Sequence, residues 1–109
     1  MTRMQRPDGG FRVEVLLDQR TVVLSGELDM ASTEALADTV TPLVEPAGDV
    51  IVDVEQLTFI DSSGLLALIR IADRLPDGKL VLRNPSDAVR RVLDLVELAD
   101  VSPRIVIDA

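Results

Sequence analysis

Residues 50–72 read VIVDVEQLTFIDSSGLLALIRIA, and along this stretch the hydrophobic pattern changes period once. Val50, Ile51, Val52 and Val54 make a nearly continuous apolar run, the pattern expected of a central strand covered on both faces. Leu57-Thr58-Phe59-Ile60 follows. Past Asp61-Ser62-Ser63-Gly64 the spacing becomes helical: Leu65, Leu68, Ile69 and Ala72 share one stripe, which Leu66 and Ile71 widen. Pro76-Asp77-Gly78 stops that helix. A covered strand that hands over to an amphipathic helix is the first half of a βαβ unit, so the fold depends on what flanks it.

Upstream, Phe11, Val13, Val15 and Leu17 alternate with Arg12 and Glu14, the period-two signature of a half-buried strand. Asp18-Gln19-Arg20 leads at once into Thr21 to Leu24, so the two runs form an antiparallel hairpin. After Ser25 to Asp29 comes a first helix, with Leu36, Val40, Leu43 and Val44 on one stripe and Asp29 or Ser32 free to cap it. Pro42 lacks an N–H and should kink or end this helix. Downstream, Lys79 to Arg83 is a strand. Asn84-Pro85-Ser86 caps a third helix carrying Val89, Val92, Leu93 and Val96, with the proline early in the helix, and Ile105-Val106-Ile107 is the last strand. The order is ββαβαβαβ. Strands joined through helices run parallel, which gives an α/β fold: a mixed β-sheet with an N-terminal antiparallel hairpin, the remaining strands parallel, and helices packed on it. Residues 1–10, MTRMQRPDGG, show no apolar period and read as a flexible leader to a single domain spanning 11–109.

Composition narrows the chemistry. The 109 residues include no Cys, His, Trp or Tyr, which removes thiolate nucleophiles, disulfides, Cys/His zinc sites and Ser-His-Asp catalysis together. Nineteen acidic against eleven basic residues leave a formal charge of -8, which repels nucleic-acid phosphates and anionic membrane surfaces. The longest unbroken apolar run, Leu65 to Ile69, falls far short of the roughly 20 residues needed to span a bilayer. A cytoplasmic, non-enzymatic protein without metal or cofactor is the expectation.

The segment Asp61-Ser62-Ser63-Gly64 places a carboxylate and two hydroxyls where a strand becomes a helix. Either Asp61 or Ser62 can satisfy the first-turn N–H groups as a cap. An alternative use is Ser62 as an exposed phosphoryl acceptor, because a helix start favours added negative charge by about 0.3 to 1 kcal/mol.

Three segments carry a resemblance: Leu24-Ser25-Gly26-Glu27-Leu28-Asp29; Val52-Asp53-Val54 with Leu57 to Leu65; and Asn84-Pro85-Ser86 with Val89-Arg90-Arg91-Val92-Leu93. In order and spacing they are similar to the STAS-domain family of anti-sigma factor antagonists. The resemblance implies a small α/β protein that binds an anti-sigma factor, itself a serine kinase, and so frees a sigma factor. It also implies that the kinase phosphorylates Ser62 to break the partnership and that a serine phosphatase restores it. The expected partner surface joins Asp61, Ser62, Ser63, Gly64, Leu65 and Leu66 to the Glu27-Leu28-Asp29 loop. Leu65, Leu66 and Ile71 exceed what one buried helical face needs, and that surplus is the reason for placing the surface here.

Other readings are a STAS scaffold or regulator in another partner-switching assembly, and a phosphoaspartate receiver using Asp53 at a strand end. The receiver lacks an acidic pair after the first strand and a lysine near the last, since Lys79 is the sole lysine. A serine hydrolase built on Ser62 lacks a base to activate it.

Overall fold

The protein was analysed as a computed structural model that describes residues 2–8, 10–16, 18, 20–43, 48–95 and 103–108. Six strands are present: β1 (Thr2–Asp8), β2 (Phe11–Leu16), β3 (Thr21–Leu28), β4 (Val50–Ile60), β5 (Leu80–Arg83) and β6 (Ile105–Asp108). Between them lie α1 (Thr33–Val40), α2 (Ser62–Arg74) and α3 (Asp87–Leu95), with 3-10 turns at Met30–Ser32 and Thr41–Leu43 on either side of α1. The strands stand in the sheet in chain order, antiparallel from β1 to β3 and parallel from β3 to β6. From Phe11 onward this is the mixed sheet that the hydrophobic periods predict.

One strand precedes it. Residues 2–8, expected to form part of a flexible leader, pair antiparallel with β2 in a register that sets Arg6 opposite Val13 and Asp8 opposite Phe11. An edge strand can be held by its backbone ladder alone, so hydrophobic periodicity carries no sign of it.

β4 runs as a single strand through Ile60 and takes in Leu57-Thr58-Phe59-Ile60. Between its two halves the pairing with β3 slips: Val23 stands opposite Asp53, but Ser25 stands opposite Gln56. The Glu55 amide turns onto the Asp53 carboxylate at 3.0 Å within this irregularity.

Among the described residues, only one face of the sheet is sealed. Val13, Val22, Leu24, Val50, Val52, Val54, Leu80, Leu82 and Ile105 point into a single core with side chains from all three helices. The alternating residues Val23, Ile51, Asp53, Val81 and Arg83 are half-buried, and Val106 is exposed. The expectation that the Val50–Val54 strand is covered on both faces is therefore corrected. β4 lies centrally between β3 and β5, yet no described helix packs on the second face.

Helix ends follow their signals. α1 stops at Val40 and Pro42 sits in the 3-10 turn after it. Ser86 accepts from the Val89 amide at 3.4 Å and donates its hydroxyl to the Leu57 carbonyl at 2.8 Å, tying the start of α3 to β4. Pro85 consequently lies before α3 rather than early in it. Val44 and Val96, expected on helical stripes, fall outside the described residues.

Candidate functional site

The site is assembled where β3 and β4 end and α2 begins. Asp61 is extended, at φ -114° and ψ -175°, and its carboxylate accepts the Gly64 amide at 2.9 Å. Its carbonyl accepts the Leu65 amide at 2.9 Å. Asp61, and not Ser62, is thus the cap of α2. Ser62 is the first helical residue and is exposed, and its side chain has no hydrogen-bond partner among the described residues. The hydroxyl therefore stands at a rigid point of the chain with no structural duty assigned to it.

Rigidity comes from the neighbouring strand. A Cβ on Gly64 would lie 2.5 Å from the Leu28 carbonyl oxygen and 2.8 Å from the Leu28 side chain, so the first turn of α2 rests directly on the end of β3. The Asp61 amide donates to the same carbonyl at 3.2 Å. Gly64 does more than let the turn fit: its missing side chain is what allows the two segments to meet.

The same contact brings the Glu27-Leu28-Asp29 segment beside Ser62. Asp29 accepts the Ala31 amide at 3.0 Å and caps the 3-10 turn, while Ser32 makes no side-chain cap for α1. Instead the buried Ser32 hydroxyl lies 2.8 Å from the Glu27 carbonyl and 3.1 Å from the Asp29 carboxylate, which closes the loop on itself. Glu27 is exposed and Asp29 half-buried.

Not every expected contact residue reaches the surface. Leu28 is 0% and Leu65 5% exposed, and Gly64 is buried beneath β3. These three shape the site from inside and cannot offer a side chain to a partner. Ile71 is likewise core, because the buried stripe of α2 runs through Gly64, Leu65, Leu68, Ile71 and Ala72. Of the apolar surplus only Leu66 is outward, at 44% exposure.

Two residues that periodicity missed join it. Met30 is 75% and Phe59 47% exposed. Met30, Ser63 and Leu66 line one shallow groove of about 210 Å³ with Thr33, Ala67 and Arg70, and Phe59 stands opposite Glu27 at the end of β4. Phe59 lies beyond the irregular pairing of β3 and β4, where the alternation of the Val50–Val54 run no longer sets which side chains face inward. Met30 follows a capping aspartate, a signal that marks a loop and says nothing of exposure.

Asp53, the candidate phosphoacceptor of the receiver reading, is not at a strand end. It is half-buried within β4, where its carboxylate takes the Glu55 amide.

The pattern of the STAS domain family matches residues 11–106. The anti-sigma-B factor antagonist of Bacillus subtilis is 28% identical over 82 residues, 73% of this chain and 75% of that protein. Among solved structures, the anti-sigma factor antagonist SpoIIAA in its unphosphorylated form is similar with a TM-score of 0.68 at 28% identity, covering 91% of this chain and 88% of that one. The Bacillus cell fate determinant SpoIIAA in its phosphorylated form is similar with a TM-score of 0.62 at 27% identity, covering 91% of each chain. With the matched residues running from β2 into β6 and a mixed sheet in the same architecture, the chain belongs to the STAS domain family.

Proposed function

We propose that this chain is an anti-sigma factor antagonist that works by reversible binding and performs no catalysis itself. Its partner is an anti-sigma factor serine kinase, which supplies the nucleotide; docking releases a sigma factor. Phosphorylation of Ser62 ends the docking, and a serine phosphatase resets it. The setting is cytoplasmic; no helix among the described residues is long and apolar enough to cross a membrane. The single observation that carries the reading is the Ser62 hydroxyl, exposed and unbonded at a braced helix start while Asp61 alone makes the cap.

The apolar lip fits docking. Of the five large apolar side chains exposed among the described residues, Met30, Phe59 and Leu66 lie on the segments that converge at Ser62. A lip of this kind excludes water from the centre of an interface and raises the cost of a charge placed there.

Phosphate at Ser62 adds about -1.5 to -2 charges at neutral pH. The Gly64 amide, which could receive it, is already held by the Asp61 carboxylate. The phosphate therefore meets a like charge at the helix start. Two unit charges about 4 Å apart repel by about 4 kcal/mol at an effective dielectric near 20, which exceeds the helix-dipole benefit of at most about 1 kcal/mol at an exposed site. Full inversion from bound to free takes about 5.5 kcal/mol. Because this repulsion is also present in the free chain, what opposes docking is its strengthening when a partner excludes water, together with desolvation of the phosphate, and neither requires refolding.

The test is to mix the chain with candidate anti-sigma kinases and ATP, map the phosphate, and compare binding by wild type, Ser62→Ala and Ser62→Asp. Ser62→Ala is expected to bind durably and resist ATP-driven release; Ser62→Asp is expected to bind weakly. Phosphate on another residue, or equal binding by all three proteins, overturns the reading.

A further inference from the structure

The face of the sheet that the helices leave open carries a regular pattern. Ile51, Val81 and Val106 stand level across β4, β5 and β6. Two residues further along, Val23, Asp53, Arg83 and Asp108 stand level from β3 to β6. An apolar row thus runs beside a row with an acid on β4, a base on β5 and an acid on β6. The Arg83 side chain has no hydrogen-bonded or ion-paired partner among the described residues, and Val106 is 42% exposed.

We propose that this face docks a second copy of the same chain about a two-fold axis running parallel to the strands between β4 and β5. Rotation about that axis lays β4 of one protomer over β5 of its partner at the same level. Ile51 then covers the partner's Val81, and Asp53 faces the partner's Arg83, each contact made twice because a two-fold interface is self-complementary. The charge pattern selects the axis. A two-fold between β3 and β4 overlaps all six strands but sets Asp53 over the partner's Val23, which leaves that carboxylate facing no base. It also sets Arg83 over the partner's β2 at the level of Glu14, a residue already engaged within its own chain. A two-fold between β5 and β6 pairs Arg83 with the partner's Asp108 but overlaps only two strands, whereas the proposed axis overlaps four. Sheets stacked face to face keep their strands within about 30° of each other, which this arrangement satisfies.

Two consequences follow from the geometry. The face is short, since β4 and β5 pair over Val50–Asp53 and Leu80–Arg83, so the dimer belongs with the weak interfaces below about 1,200 Å². Rotation about an axis parallel to the strands also preserves their direction. Both Ser62 mouths therefore lie at the same end of the dimer, clear of its interface.

Sedimentation of the purified full chain up to about 1 mM, the range of the weakest specific complexes, tests the proposal. Wild type is expected to self-associate, and Ile51→Asp to stay monomeric with unchanged circular dichroism. Asp53→Arg alone and Arg83→Asp alone should each weaken association about tenfold or more, by opposing like charges across the axis. Mixing these two variants, or combining D53R and R83D in one chain, should restore association. A wild type that remains monomeric throughout overturns the proposal, as does association indifferent to the swaps. Sensitivity to Asp108→Arg but not to Asp53→Arg overturns the axis. A monomeric wild type whose kinase binding is lost in Ile51→Asp assigns the face to that kinase instead and also refutes it.

Discussion

At the amino-terminal ends of the parallel strands, polar groups are tied down by backbone. Arg20 donates from Nε to the Asp49 carbonyl at 3.0 Å and from a terminal nitrogen to the Leu43 carbonyl at 2.7 Å. Asp49 accepts the Lys79 amide at 2.8 Å, and Arg104 reaches the Leu75 carbonyl. At the carboxyl-terminal ends the backbone is braced just as closely, through Leu28, Asp61 and Gly64, but the braces leave side chains over: Ser62, Met30, Phe59 and Leu66 face outward with no role in holding the fold. One end spends its polar groups on stability, and the other keeps a hydroxyl and an apolar lip in reserve. If this division is correct, damage at the two ends should separate stability from binding.

Glycine contacts should give the largest effects. Gly78 has φ +92°, and a Cβ there would lie 2.4 Å from the Gly48 carbonyl carbon; Gly64 has its 2.5 Å contact with the Leu28 oxygen. Gly78→Ala combines strain with overlap and is expected to cost about 3 kcal/mol; Gly64→Ala, overlap alone, about 2 kcal/mol. Urea unfolding measures both. Under conditions where each variant is folded, Gly64→Ala should also weaken kinase docking because it moves Ser62 relative to Met30, while Gly78→Ala should not. Equal loss of docking in the two would erase the distinction between the ends.

Arg20→Ala comes next, with an expected loss of about 1 to 3 kcal/mol from two carbonyls that lose a charged donor, and with docking affinity retained. At the other end, Asp61→Ala removes the cap and should cost about 1 kcal/mol, whereas Asp61→Asn, which still accepts the Gly64 amide, should be nearly neutral for stability. Asp61→Asn sharpens the comparison further. It removes the charge beside Ser62 without disturbing the helix start, so phosphorylation should inhibit docking less in this variant than in wild type, measured as the ratio of the two affinities.

How far the sequence foretold this depends on whether a feature is local. The β4 run, the α2 stripe, the stop at Pro42 and the capping signals at Asp61 and Ser86 are set by neighbouring residues and are visible in the chain. The motif around Ser62 was legible for the same reason. What escaped is tertiary. β1 pairs through its backbone with β2, which hydrophobic periodicity does not encode, the slip between β3 and β4 changes which residues of 57–60 face inward, and the burial of Leu28 and Gly64 exists only because two distant segments touch. Of the residues expected at the docking surface, Leu28, Gly64 and Leu65 are therefore buried, and the exposed Met30 and Phe59 were not among them.

The smallest effect belongs to the first polar group of the braced end. The Asp18 carboxyl is held below its ordinary value of 3.8, chiefly because the Thr21 hydroxyl donates to it, with the Arg20 amide adding to this. A depressed folded-state value means that the folded protein holds this proton less tightly than the unfolded chain. The stability so contributed is present above about pH 4 and is lost as pH falls through the folded-state value. Because Asp18 is exposed, solvent screens the contribution and keeps it small. Asp18→Asn should accordingly lower stability a little above about pH 4, make the fall below it shallower, and leave docking unchanged, as read by unfolding midpoints between pH 2.5 and 7 (roughly the range over which a carboxylate titrates). An acid limb identical to wild type would mean that the Thr21 and Arg20 donors gain nothing from the charge, and that this end is braced by Arg20, Asp49 and Arg104 without help from Asp18.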